Sequence, residues 1–554
     1  MDKKTILAFA LSFVVLVGWS LFFSPKPKET PPEKNTVTEN AQSVPMDEKS
    51  PVKVTSVSPS KAVTAPEQPV VQSEEKTVEI DTPLYKAVFS NVGPTIKSFK
   101  LKKYRQTTDP ESPFVELVTL EQGMGDYLTV QFDDNAGGNA NNQAFNVDKN
   151  SLVLNQGSEP GTIVFRRTSQ NGVAVTQTYR FYPDQYGIGL AVTAANPTES
   201  AVNGVFRTTL RALPPQSKDS YYAYVGFALF LDSKLEEIEV EDPGEEISAR
   251  GNIGWVSYED NYFISAVAPA IPAKGSFTGK RLSSGVLEGV FLPEAVSLPP
   301  SAQATSEYQL YLGPRELGTL KKFGNNLDQA INFGWTDIIA KPLLYVLRFF
   351  DQYLHNYGVS IILLTILVKI LFWPLTHKSY KSMKEMQKLQ PRMAKLREKY
   401  KGDKQKLNQE MMALYKTYKV NPMGGCLPMV VQIPVFFALF RVLGACIELR
   451  HAPFVFWIND LSAPDRLFHF SFTIPFMTPP YGIPVLTLLM GASMFVQQKM
   501  TPSPGDPAQA KIMMFLPVIF TFMFINFPSG LVLYWLVNNL LSIGQQYRIY
   551  KKKA

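Results

Sequence analysis

The sequence predicts a multi-domain membrane protein of six spans: an N-terminal transmembrane anchor, a large extracytoplasmic β-sandwich, and a C-terminal five-helix transmembrane bundle with a cytoplasmic helical hairpin. Three observations predict it. Apolar runs long enough for a bilayer stand at the start of the chain and again after residue 357. Between them lies a long region of period-two alternation with turn signals. Lysine and arginine collect on one side of every apolar run.

Residues 1–24 read as the anchor. The run Thr5–Phe23 follows Lys3 and Lys4 and just spans a hydrocarbon core of about 30 Å at about 1.5 Å per residue. It ends Leu21-Phe22-Phe23-Ser24-Pro25, without the Ala-x-Ala pattern of a cleaved signal. The two lysines put its start in the cytoplasm. Residues 25–76 hold nine prolines and neither glycine nor an aromatic residue. Such a segment buries too little apolar surface to offset its ordering entropy and reads as an extended tether.

Residues 77–320 read as one β-sandwich domain. Alternating stretches recur at Thr77–Ile80, Tyr85–Phe89, Thr95–Leu101, Thr162–Arg167, Val173–Tyr182 and Gly187–Ala194. Gln170-Asn171-Gly172 is a hairpin turn signal. The domain contains no histidine, which removes the usual general acid/base of sandwich enzymes that act on sugars. Glu245, Glu246, Glu259 and Asp260 read as solvated surface carboxylates. A docking or spacing role is expected here.

Residues 321–554 form the membrane core. Residues 326–352 read as an amphipathic interfacial segment, with Leu327, Ile331, Trp335 and Ile338 on one face. Spans are expected at Tyr357–Leu375, Gly425–Ile447, Gly482–Gln498, Ile512–Phe527 and Gly530–Gln546, the last two joined by Pro528-Ser529. Residues 377–420 read as the cytoplasmic hairpin. Between His377 and Lys419 stand thirteen Lys/Arg against four Asp/Glu, a balance of +9, so the rest of the chain, net +7 overall, carries −2. Met383, Met386, Leu389, Met393 and Leu396 draw an apolar stripe beside this charge, and Gly402-Asp403 marks the turn. A topology signal alone needs no amphipathic helices. The block suits ribosomal RNA, anionic lipid or an apolar nascent chain.

The polar residues inside the apolar runs point to the working site. Thr365 and Lys369 are four apart on one helix face. Gln432 stands between Pro428 and Pro434, and Tyr534, Trp535 and Asn538 lie in the last span. A lysine at bilayer depth costs roughly 2.5–3.5 kcal/mol. Two readings stand: Lys369 snorkels to the nearby cytoplasmic face, or it lines a polar interior. Tyr534 and Trp535 fit an interfacial aromatic belt equally well.

Catalytic chemistry is not expected. His355, His377, His451 and His469 have no metal-ligand spacing, Cys426 and Cys446 are too far apart along one helix to bridge, and Gly279-Lys280-Arg281 is no phosphate loop. No cofactor or metal is implied. A channel or transporter would call for paired intramembrane charges or inverted repeats, and neither is visible.

Four stretches carry a family resemblance: QKLNQEMMALY (405–415), VNPMGGCLPMVVQIP (420–434), ELRHAPFVFWINDLS (448–462) and PSGLVLYWLVN (528–538). The bundle, roughly residues 325–550, resembles the YidC insertase family, which includes the mitochondrial Oxa and chloroplast Albino insertases. The anchor and large β domain look like the form found in double-membraned bacteria. The resemblance implies a β-supersandwich for residues 77–320 in the periplasm and a bundle in the cell inner membrane with both termini cytoplasmic. It implies a hydrophilic groove open to cytoplasm and lipid whose one basic residue, Lys369 here, faces entering substrate. The family usually has arginine at that position, and tyrosine where Trp535 stands. Thr365, Gln432, Tyr534, Trp535 and Asn538 would line the groove. The implied partners are nascent membrane proteins, the lipid bilayer, the Sec translocon, and the ribosome through Lys378, Lys381, Lys384, Lys388, Arg392, Lys395 and Arg397. The connection 463–481 is longer and more apolar than usual in the family.

Overall fold

The computed structural model describes residues 75–121, 123–134, 144–215, 224–418, 420, 427–501 and 507–551. The expected anchor and all but the end of the expected tether lie outside the described residues.

The period-two stretches form strands at Thr77–Asp81, Tyr85–Ser90, Thr95–Arg105, Gly161–Thr168, Ala174–Phe181 and Gly187–Ala195. Alternation is the cause. In Ala174–Phe181, Val175, Gln177, Tyr179 and Phe181 turn inward while the residues between them are more exposed. The one polar member of that inward set is satisfied: the Gln177 amide donates to the Val130 carbonyl at 3.0 Å. The turn at 170–172 holds, with Gly172 at φ +81°.

The strands build two sheets. A five-stranded sheet runs from Phe114–Glu116 through Thr95–Arg105, Tyr85–Ser90 and Thr77–Asp81 to Ser151–Val153. A fourteen-stranded sheet holds the rest, with the long strands Glu246–Glu259 and Gln303–Pro314 near its centre. Their inner faces meet through aromatic rings: Phe89 lies 5.2 Å from Tyr179 and 5.7 Å from Phe181, edge to face.

Of the four expected surface carboxylates Glu246 is exposed and Glu245 is half-buried, accepting from the Glu241 and Asp242 N–H groups; the other two are held by the sheet. Glu259 is buried, because its strand pairs with Phe263–Pro269 inside the sheet. Asp260 is half-buried and closes the turn between those strands, accepting from the Tyr262 and Phe263 N–H groups at 2.7 Å each.

Among the described residues nine helices follow: α1 (Leu317–Phe323), α2 (Asp337–Leu354), α3 (Tyr357–Leu371), α4 (Trp373–Lys399), α5 (Lys404–Thr417), α6 (Leu427–Ala445), α7 (Val485–Met500), α8 (Pro507–Phe524) and α9 (Ser529–Lys551). Three expectations change. The 326–352 segment is helical only from Asp337; before it stand two short 3-10 turns, because Asn325, Asn326 and Gly334 take left-handed backbone. The stretch Tyr357–Leu375 is not one straight helix. It breaks at Phe372, where Pro374 opens α4 without an N–H to donate, and α3 and α4 meet at 66°. The span expected to reach Phe527 stops at Phe524.

Among the described residues no single helix is long and apolar enough to cross a bilayer alone; the bent pair α3–α4 passes together. Large apolar side chains are nonetheless exposed along the helices, among them Leu367, Ile370, Leu488, Phe515, Ile519 and Phe522.

The hairpin forms as α4 and α5, with Asp403 capping α5 by accepting from the Lys406 N–H at 3.0 Å. Its apolar stripe is largely consumed internally. Leu389 and Met393 are buried against Val420, with Met386, Met411, Leu414 and Tyr415 packed around them. That stripe therefore offers a passing chain less apolar surface than its sequence suggests.

The sheet domain rests on the helices. Arg315 donates to the carbonyls of Asp260 (3.1 Å) and Ala330 (2.6 Å), and Asn261 donates to the Gly444 carbonyl at the end of α6 (3.1 Å).

Candidate functional site

The site is built by α3, α6 and α9. Helix α3 starts on an Asn356 cap, whose side chain accepts from the Val359 N–H, and runs through β-branched and leucine residues that suit an apolar setting. Four residues apart, Thr365 and Lys369 sit on its inward face, both buried. Thr365 Oγ1 donates back to the Ile361 carbonyl at 2.6 Å and so needs no partner across the bundle.

Lys369 is 7% exposed, and its ammonium points across to α9. It donates to Ser542 Oγ at 2.6 Å and lies 3.4 Å from Asn538 Oδ1. Both partners are neutral. Among the described residues no carboxylate stands within ion-pair distance of it. Neutral oxygens solvate an ammonium without cancelling its field. The Lys369 side chain is buried against α9 and does not lie out along the protein surface.

Asn538 and Ser542 are four apart on α9, and Tyr534 is one turn earlier on that face. Gln432 of α6 donates to the Tyr534 hydroxyl at 3.2 Å. Trp535 faces elsewhere. It packs edge-on against Phe436 (4.7 Å) and Phe524 (4.9 Å), within an aromatic cluster between α6, α8 and α9. The six residues expected at the site therefore fall into three groups: Lys369 with Asn538, Gln432 with Tyr534, and two side chains outside both pairs, Thr365 bonded within α3 and Trp535 packed in the aromatic cluster.

Sequence reasoning missed several polar residues of this interior. Besides Ser542, Thr376 exchanges hydrogen bonds with Gln545, Asn539 donates to Ser493 Oγ at 3.0 Å, and Gln546 donates to the Met500 carbonyl at 3.0 Å. The signal is present as Asn538, Asn539, Ser542, Gln545 and Gln546, recurring at helical spacing toward the end of α9.

The basic hairpin residues divide similarly. Lys378, Lys381, Lys388, Arg392 and Lys395 are exposed and Arg397 is half-buried, whereas Lys384 donates to the Ile549 carbonyl of α9 at 3.0 Å. Lys388 pairs with Glu385 at 2.8 Å, and Arg392 covers the Tyr418 ring at 4.7 Å. No cluster of metal-binding side chains stands among the described residues.

A large β domain joined to a helical bundle that is apolar outside and polar within defines a class of membrane proteins with a soluble extension. Similarity to known proteins narrows the class. Residues 77–346 match the family described as YidC periplasmic domain, and residues 349–554 match 60Kd inner membrane protein. Membrane protein insertase YidC of Syntrophus aciditrophicus is 43% identical over all of both chains. Those of Pelobacter propionicus and Geobacter sulfurreducens are 43% and 44% identical, covering 100% and 99% of this chain and 99% and 98% of theirs. The chain belongs to the YidC membrane protein insertase family.

Proposed function

We propose that this chain inserts newly made proteins into the inner membrane, using the buried ammonium of Lys369 to draw polar substrate segments part-way across. The observation that carries this reading is the neutral company of Lys369: Ser542 and Asn538 hold the charge without neutralising it.

At 4 Å and an effective dielectric near 20, an ammonium and a carboxylate attract by about 4 kcal/mol. An aspartate at the centre of a membrane helix costs roughly 2.5–3.5 kcal/mol. One transient pairing therefore offsets the cost of one acidic residue, and release follows once the segment reaches water. Burial of the substrate's apolar segment in lipid drives the transfer, so no nucleotide or covalent step is required.

In this reading residues 77–320 are periplasmic, both termini are cytoplasmic, and the bundle supplies five of six spans. The exposed lysines of α4 approach ribosomal RNA, and the Sec translocon is a second partner. Lysine in place of the family's usual arginine keeps the charge and gives up the planar five-donor fork.

The test is a photo-crosslinking residue at position 432, which leaves Lys369 in place, with ribosome-stalled membrane-protein chains. Adducts that move along the nascent chain as its length grows are expected. Adducts to lipid alone would refute the reading.

A further inference from the structure

The connection between α6 and α7 contains a small β-hairpin, Leu467–Phe470 with Tyr481–Ile483, that the insertion mechanism does not use. From Leu467 to Ile483 it carries no Lys, Arg, Asp or Glu. Phe468, Phe472 and Phe476 are 69%, 61% and 83% exposed. A water-facing loop gains nothing by presenting three phenylalanine rings.

The base of the hairpin is fixed. Buried Arg466 donates to the carbonyls of Pro480 (3.0 Å) and Ile525 (2.8 Å) and to Asn526 Oδ1 (3.2 Å). Asp465 accepts from the Leu486 N–H at 2.7 Å and from Thr487 Oγ1 at 3.1 Å, which ties the hairpin to the start of α7. Asn526, in the turn between α8 and α9, donates to the Phe476 carbonyl at 2.9 Å. The rings thus sit level with the ends of α7, α8 and α9, and Phe522 and Met523 of α8 continue the exposed apolar surface from that turn. Phe468 and Phe476 take φ of +53° and +64°, backbone that bulky residues rarely adopt.

We propose that this hairpin is a membrane-seated ledge, its three phenylalanines resting in the outer leaflet at the boundary between headgroups and acyl chains. The proposal rests on the reading that α7 and α8 lie in the bilayer. Three features select lipid over a protein partner. The patch carries no fixed charge to pair, it continues an apolar helix surface, and it lies at the level of the helix ends, where aromatic side chains favour the interface.

The test uses the full chain in phosphatidylethanolamine–phosphatidylglycerol vesicles, with Cys426→Ala and single cysteines introduced by F468C, F472C, F476C or F515C. Buried Cys446 stays unlabelled. Each cysteine carries a polarity-sensitive fluorophore, quenched by lipids spin-labelled near the headgroup or deep in the chain, or by aqueous iodide. At 468, 472 and 476 the shallow lipid label should quench about twofold more than the deep one, and at 515 the order should reverse. Iodide quenching without lipid quenching at the hairpin, with 515 still lipid-quenched, would overturn the ledge alone. Protection from both quenchers there would mean a protein occupant and would also overturn it. Absence of lipid quenching at 515 would overturn the bilayer placement itself.

Discussion

Lys369 on α3 and Ser542 on α9, 173 positions apart in sequence, meet at 2.6 Å across the bundle. The contact joins the two helices through a charge with neutral partners, and it yields a coupling that can be measured. Ser542→Ala should lower thermal stability in detergent by about 1–3 kcal/mol, the cost of leaving a buried charge short of an acceptor. In a Lys369→Met background the same substitution should cost little. Equal effects in both backgrounds would show that Ser542 acts independently of Lys369.

The sheet domain holds a second buried charge. Glu259 is fully buried; burial raises its carboxyl to about 7, and Arg315 at 3.3 Å offsets that only in part. A carboxyl raised on folding binds more protons in the native state than in the unfolded one. Its contribution to stability is therefore greatest at low pH and declines as pH rises through 7. Between pH 5.5 and 8 the loss is about 2 kcal/mol. Glu259→Gln should flatten the dependence of Tm on pH over that range; an unchanged slope would assign it to other groups.

Close helix packing gives a third outcome. A Cβ on Gly491 of α7 would collide with Thr521 Oγ1 of α8. Gly491→Leu should force the two helices apart and destabilise the bundle by about 1–3 kcal/mol, read as a lower Tm in detergent. An unchanged Tm would mean that the approach of α7 to α8 contributes nothing to the bundle.

The hairpin charges are tested by salt. Replacing exposed Lys378, Lys381 and Lys395 with glutamine should weaken co-sedimentation with ribosomes and reduce the salt slope of binding by about 2–3. Unchanged binding would leave that block as a topology signal.

Much of the architecture is legible because it follows short periods. Alternation marks strands such as Gly187–Ala195, and the basic block between apolar runs marks the α4–α5 hairpin. Lys369 stands out because its charge is costly among apolar neighbours. Its partner Ser542 stands out less, because a single serine in a helix is ordinary and only its place in the polar row from Asn538 to Gln546 marks it. Trp535 groups with Tyr534 by adjacency, yet neighbouring helical positions are about 100° apart and face different elements. Glu259 reads as a surface carboxylate, whereas strand pairing between Glu246–Glu259 and Phe263–Pro269 buries it. The bend at Phe372 follows from Pro374, whose effect depends on where α3 stops.

The proposed role of Lys369 rests on its positive charge, and charge reversal probes that charge with the side chain's length nearly kept. Insertion of a single-span substrate with an acidic translocated segment should be measured for Lys369, Lys369→Arg and Lys369→Glu in reconstituted vesicles. In the proposed mechanism insertion stays near normal with arginine and falls by about tenfold or more with glutamate, the latter about 1.4 kcal/mol or greater. Normal insertion by Lys369→Glu would contradict it.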